Sequence, residues 1–289
     1  MTPTTSNVAA LAGSQMVSEQ EEAVGKDAFV SDLLEDIRKI ATTDKNKYAL
    51  IFGNEDYNFL YRGNVHQPNV EFAEADAEAF KQYAVNYMGV PEDQIRILIN
   101  GTKSQMYKEM NNVRDLAQIR NGEAEVYVFY AGHAQPDEET SSTYLMPTDV
   151  FLADASEGIK LSEFYDVISS INAKKKVVFL DACYSGQGRA GGFRIVKHEP
   201  SIRGNMIVIS ATDAEQKSMP YKEKRHGLFT YHLLSAIKAA NGQISLNDLF
   251  SKIEEEVLKT SINVNNSKQT PKLFSGAGIE KDWKKWMLY

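Results

Sequence analysis

The feature that most constrains this chain is a repeated alternation of short apolar runs with stretches of helical spacing. Tyr48–Phe52, Ile95–Ile99, Val126–Tyr130, Val177–Leu180 and Met206–Ile209 are brief, and several are apolar throughout; Pro271–Phe274 reads as a final strand. A strand with no polar face has to be covered on both sides. Between these runs, Glu71–Tyr87, Gln105–Ile119, Leu161–Ile171, Gly227–Ala240 and Ser245–Thr260 repeat apolar residues three and four apart, as in Met106, Met110, Val113 and Ala117. That is the period of a helix burying one side. Strands and helices in alternation give an α/β/α sandwich with a mainly parallel central sheet. In such sheets, active sites form at the carboxyl ends of the strands.

Other features bound the function. The 289 residues carry a net charge of −7, which disfavours a nucleic-acid surface. Cys183 is the only cysteine, so an internal disulfide and any zinc site with two cysteine ligands are excluded. A lone thiol fits a reducing compartment. No run approaches the ~18–20 apolar residues of a membrane span, and Met1 to Glu22 lacks the pattern of a secretion signal. The expected location is the cytoplasm, without nucleic acid or membrane as partner. Residues 1–25 read as a mobile tail and Asp27–Ala41 as an amphipathic helix; together, residues 1–46 form an N-terminal extension. Whether it is a prodomain over the cleft or a docking element for a regulatory partner stays open. Lys174–Lys176 reads as a solvated helix end. In the 277–289 tail, Trp283, Trp286, Leu288 and Tyr289 are expected to pack while the lysines face water.

Two strand ends carry chemistry. Val126–Tyr130 opens into Ala131-Gly-His133-Ala134, and Val177–Leu180 opens into Asp181-Ala-Cys183-Tyr-Ser-Gly186. A right-handed crossover between them can lay the strands side by side, with the thiol and the imidazole at one sheet edge. A thiolate is a nucleophile, and a neighbouring imidazole can take or share its proton. Small residues around both let backbone N–H groups approach a substrate carbonyl.

With these motifs the chain resembles the caspase/metacaspase superfamily of cysteine peptidases. Tyr130-Ala-Gly-His133 and Asp181-Ala-Cys183-Tyr-Ser-Gly186 resemble its two catalytic segments, and their separation of 50 residues agrees. Ala49–Asn54, Glu74–Ala77, Leu145–Asp149, Ile209–Asp213 and Gly227–Tyr231 resemble further family segments in order. The peptidase domain is placed at 47–276. The resemblance implies Cys183 as nucleophile and His133 as general acid/base, with the backbone N–H groups of Cys183 and Ala134 as oxyanion hole. It also implies preference for Arg or Lys before the cleaved bond, with Asp181 and Asp76 as pocket acids. A buried carboxylate facing a cation makes a charge-assisted pair.

Some positions depart from the family pattern. Ala131 and Ala134 stand where Ser and Gly are common, and Ala190 stands where a calcium-binding acid can sit. No cofactor and no metal are expected, and calcium activation is not favoured. The basic loops carry self-cleavage candidates at Arg189, Arg194, Lys222, Lys224 and Arg225. Gly186-Gln-Gly-Arg-Ala-Gly191 fits a dinucleotide fingerprint but is not followed by a helix pattern. The reading is an endopeptidase acting on proteins with exposed basic residues. The competing reading is a catalytically idle caspase-like module that binds partners.

Overall fold

The apolar runs become strands, and most extend beyond their apolar stretch. The computed structural model describes residues 31–39, 41–58, 60, 66–137, 142–184, 202–212 and 216–289. In chain order its elements are β1 (Lys47–Gly53), α1 (Ala73–Asn86), β2 (Ile95–Ile99), α2 (Lys103–Gln118), β3 (Gly122–Asp137), β4 (Ser142–Leu145), β5 (Ile159–Lys160), α3 (Leu161–Ser169), β6 (Ala173–Tyr184), β7 (Met206–Ser210), β8 (Pro220–Tyr221), β9 (His226–Gly227), α4 (Leu228–Ala239), α5 (Leu246–Asn265) and β10 (Lys272–Ser275). The main sheet runs β10-β7-β6-β3-β1-β2, and all neighbours along this path are parallel except β10 with β7.

Strand alternation divides the core into two layers. Ala49, Ile51, Tyr127, Phe129, Val177, Phe179, Ile207 and Ile209 face α1, α4 and α5. Their neighbours Leu50, Phe52, Val126, Val128, Tyr130, Val178, Leu180 and Val208 face α2 and α3. Both faces are therefore buried, as an apolar parallel sheet requires. Phe80 of α1 stacks on Phe129 with ring centroids 4.6 Å apart, tying helix to sheet. On the other layer α2 begins at a capping box, in which Thr102 and Gln105 satisfy each other's backbone N–H groups. No helix among the described residues is long and apolar enough to cross a membrane.

Three local expectations are corrected. β3 does not stop at Tyr130 but runs to Asp137, because β4 pairs with its end in antiparallel register, Ala134 opposite Leu145. Lys174–Lys176 is not a solvated helix end; it lies in β6, with Lys175 and Lys176 buried. Lys176 Nζ donates to the carbonyls of Ser169 and Ile171, at the end of α3, and Lys175 pairs with Glu125 at 2.6 Å. Over residues 31–39, the chain forms a turn in place of the helix expected across Asp27–Ala41. Ser31 accepts from Leu33 and Leu34, Asp36 takes φ 52°, and tertiary partners take the carbonyls a helix would use. Tyr83 Oη donates to Leu33, while Lys238 Nζ donates to Asp32 and Glu35. Residues 27–30 and 40 lie outside the described residues. The C-terminal segment packs on the domain: Leu288 is buried and its carbonyl accepts from Tyr127 Oη at 2.8 Å.

Candidate active site

The parallel pairing of β3 with β6 sets Ala131 opposite Asp181, His133 opposite Cys183 and Ala134 opposite Tyr184. The two residues expected to react are thus register partners on adjacent strands, at the carboxyl end of the sheet. The side chain of Cys183 lies outside what is described.

His133 is held at every backbone group. Its N–H donates to Tyr57 Oη at 2.9 Å, and its carbonyl accepts from Tyr130 Oη and from the Met146 N–H. Gly132 makes room for this clamp: a Cβ there would come within 2.8 Å of Tyr130 Oη and 3.1 Å of Tyr57 Oη. Both backbone groups of His133 point away from β6, so by strand alternation those of Ala134 turn toward it. The Ala134 N–H therefore lies on the Cys183 side.

The imidazole is fixed by a residue that the sequence does not announce. His133 Nε2 lies 2.8 Å from the carbonyl oxygen of Pro68. A carbonyl can only accept, so Nε2 carries the hydrogen, and in the neutral ring the lone pair sits on Nδ1. Burial holds the imidazole pKa below its ordinary value, which favours the neutral ring near pH 7. The Pro68 carbonyl is presented by a side-chain-braced loop. Asn58 Nδ2 donates to the Gln67 carbonyl, the Gln67 N–H donates to Asn58 Oδ1, and Gln67 Nε2 donates to the Tyr57 carbonyl.

Beside His133 opens a cleft of about 230 Å³, lined among others by Ala131, Asp76, Asp181, Ser218 and Gly227. Asp76 comes from the first turn of α1, where the helix dipole favours an acid. Asp181 comes from β6, two residues before Cys183. Both are buried. Asp181 Oδ1 accepts from Ser218 Oγ at 2.5 Å; its Oδ2 accepts from Thr230 Oγ1 at 2.7 Å and the Thr230 N–H at 3.2 Å. Asp76 Oδ1 faces His226 Nδ1 at 2.6 Å, and its Oδ2 accepts from the Gly227 N–H at 2.9 Å. Burial raises both acid pKa values, that of Asp76 to about 6. Hydrogen bonds oppose the rise at each, and the nearby Asp181 charge adds to it at Asp76.

The structure thus brings five of the expected residues together: His133, Ala134 and Cys183 by strand register, and Asp181 and Asp76 through the shared cleft. Asp76 is the one that arrives from a helix, α1, while the others lie on β3 and β6. The self-cleavage candidates separate. Lys222 sits at the cleft and pairs with Glu71 at 3.7 Å. Lys224 pairs with Asp32, and Arg225 takes φ 54° after the short helical turn Lys222–Lys224. Arg189 and Arg194 lie outside the described residues, as do Ala190 and the Gly186–Gly191 motif. Sequence reasoning missed Pro68, Tyr57, Ser218 and His226. Thr230 lies in the quoted Gly227–Tyr231 segment without having been given a role. Among the described residues no group of three or more His, Cys, Asp or Glu side chains is placed to hold a metal ion.

Comparison with known proteins bears on the family and the fold. The family model described as Caspase domain matches residues 46–278. Caspase-1 from Spodoptera frugiperda superposes with TM-score 0.57 at 14% identity, covering 86% of this chain and 94% of that one. A protein from Geobacter sulfurreducens superposes with TM-score 0.58 at 18% identity, covering 84% and 97%. These likenesses show the fold. No curated protein matches the sequence significantly. The caspase-domain match supports a cysteine-peptidase type of function.

Proposed function

The chain belongs to the caspase domain family, and we propose that this member is an endopeptidase that cleaves proteins after Arg or Lys, with Cys183 as nucleophile and His133 as general acid and base. The observation that carries the specificity is the pair of buried carboxylates, Asp76 and Asp181, lining one cleft with His133. Two acids out of water and close together are costly unless a cation joins them. An arginine or lysine side chain supplies that cation. Each oxygen of Asp76 receives a single donor among the described residues, which leaves a second lone pair on each for a guanidinium fork.

In this reading, the thiol of Cys183 gives its proton to Nδ1 of His133, and the thiolate attacks the carbonyl carbon of the basic residue. The carbonyl electron pair moves onto oxygen, where the N–H groups of Ala134 and Cys183 receive it. The tetrahedral intermediate collapses, the C–N bond breaks, and His133 returns its proton to the leaving amine. Water, deprotonated by His133, then opens the thioester and regenerates the thiol. The Pro68 carbonyl keeps the ring in the tautomer this sequence needs. The steps require no cofactor.

Self-processing is proposed at the basic positions named above. Bonds after Lys222, Lys224 and Arg225 sit in a tight turn, so cutting there first requires local opening.

The test is turnover of fluorogenic peptides ending in Arg, Lys or Asp, with and without calcium, against Cys183→Ala. Turnover after Arg or Lys that disappears in the variant is the expected result. Cleavage after Asp instead keeps the dyad and removes the acidic pocket. Silence in every condition favours the idle module.

A further inference from the structure

Asp76 is gripped from outside the cleft by a chain of hydrogen bonds that no step of the reaction uses. Asp76 Oδ1 lies 2.6 Å from His226 Nδ1, and His226 Nε2 lies 2.7 Å from Ser31 Oγ. Ser31 Oγ also accepts the Leu33 N–H at 3.3 Å. Relative exposure is 2% for Asp76, 2% for His226 and 7% for Ser31, so water does not compete for these contacts. An ionised carboxylate only accepts, which assigns the hydrogen to Nδ1. In the neutral ring, Nε2 then accepts from the Ser31 hydroxyl.

The order Ser, His, Asp is that of a hydrolase triad, but the arrangement does not work as one. The cleft is lined by Asp76 and not by His226 or Ser31, so no substrate meets the serine. The chain of bonds acts inward, from the leading segment to the pocket.

That segment is firmly seated. Asp32 pairs with Lys224 and accepts from Tyr231 Oη at 3.0 Å. Leu33 is buried in the main core. Lys224 and His226 flank Arg225 at the β8–β9 hairpin, so the segment holds both the hairpin and the histidine on it.

We infer that His226 is a positioning residue for substrate specificity and that Ser31 completes the specificity pocket by fixing His226. The inference rests on reading Asp76 as a ligand for the substrate's basic side chain. Without His226, Asp76 keeps one donor among the described residues, the Gly227 N–H, while facing the like charge of Asp181. A buried carboxylate so placed takes up a proton or turns away, and the cleft loses charge. Without Ser31, Nε2 has lost its buried partner, and the ring is no longer held with Nδ1 toward Asp76.

The experiment compares the full-length protein with Ser31→Ala, His226→Ala and His226→Asn; the asparagine keeps a donor near the Nδ1 position. Three quantities are read: kcat and KM for an Arg-ending peptide, the rate of Cys183 alkylation by uncharged iodoacetamide, and benzamidine affinity in the Cys183→Ala background. Losing the charge-assisted hydrogen bond to Asp76, directly in His226→Ala and by release of the ring in Ser31→Ala, predicts KM and the benzamidine Kd about tenfold higher in both. Both kcat and the alkylation rate should stay within about twofold, and His226→Asn should recover most of the affinity. If His226→Ala does not fold, Ser31→Ala and His226→Asn carry the comparison. Wild-type affinity in Ser31→Ala and His226→Ala overturns the inference alone. A matched loss in kcat and alkylation overturns it too, since it marks general damage. A wild-type protein that neither binds benzamidine nor cleaves after Arg or Lys sinks the pocket reading, and the inference with it.

Discussion

Asp76 and Asp181 converge on Gly227: their Oδ2 atoms lie 2.9 and 2.5 Å from the point that a Cβ on this glycine would occupy. The backbone of Gly227 is ordinary, with φ −59°, so the glycine is demanded by space and not by conformation. One methyl group there would push into both carboxylates. Gly227→Ala should raise KM for Arg- and Lys-ending peptides more than about tenfold, or abolish their turnover, as one lost charge-assisted contact already costs about that much. Iodoacetamide alkylation of Cys183 should change little, because the dyad lies on other strands. Unchanged peptide KM in this variant would show that basic side chains bind elsewhere.

Acidity should weaken the pocket. The Asp76 pKa is raised from 3.8 to about 6, first by burial, with the Asp181 charge adding and the His226 and Gly227 hydrogen bonds opposing. The Asp181 pKa is also raised by burial. A folded-state pKa above the unfolded value means that the folded chain keeps this proton after the unfolded chain has lost it. Its contribution to stability is full below about pH 4 and is lost as pH rises through about 6. Ligand binding runs the other way, since a cation needs the ionised form. The inhibition constant of benzamidine should therefore rise as pH falls through about 6, while Asp76→Asn should flatten that dependence and bind weakly at every pH. Inhibition independent of pH between 5 and 8 in the wild type would contradict the assignment of Asp76.

The contact between His133 Nε2 and the Pro68 carbonyl makes a spectroscopic prediction. In Cys183→Ala at pH 7.5, the His133 ring should show a protonated Nε2 and a pyridine-type Nδ1 in long-range nitrogen–proton correlation spectra. Its titration midpoint should lie below the usual 6.5, because burial disfavours the cation. The opposite tautomer would leave Nδ1 unable to accept the thiol proton. His133→Ala should cost about 10²–10⁴ in kcat, the usual size of a general acid–base contribution.

The parts legible in the sequence are those in which local pattern and tertiary fate coincide. Strand cores such as Val126–Tyr130 and Val177–Leu180 are apolar throughout because both sheet faces are covered, and the chain says so directly. Their ends are not local facts: β3 continues beside β6 as far as Ala134 and reaches Asp137 because β4 arrives to pair with it. The helical spacing of Leu33, Ile37 and their neighbours is real, yet Tyr83 and Lys238, distant in sequence, take the carbonyls and leave a turn. The same rule governs the site. His133 and Cys183 stand out as the histidine and the cysteine at two neighbouring strand ends. Pro68, Ser218, His226 and Ser31 act through partners many residues away, and nothing near them in the chain marks the connection.

The lysine run shows what such distant partners are worth. By local charge, Lys174, Lys175 and Lys176 look equivalent, but the fold treats them differently. Lys174 is half-exposed and pairs loosely with Glu123 and Glu125, at 3.7 and 3.4 Å. Lys176 is buried, and its ammonium group satisfies the carbonyls of Ser169 and Ile171, at 3.0 and 2.9 Å. Burial lowers its pKa. Lys176→Met keeps the apolar stem and leaves two carbonyls at the end of α3 without this donor. Urea denaturation should show a loss of about 1–3 kcal/mol for Lys176→Met, the penalty of unmet buried polar groups, and under about 0.5 kcal/mol for Lys174→Ala. Both variants should retain wild-type kcat and KM, because the run lies at the opposite end of β6 from Cys183. Equal, small losses in the two variants would return Lys176 to the solvated role its local sequence suggests.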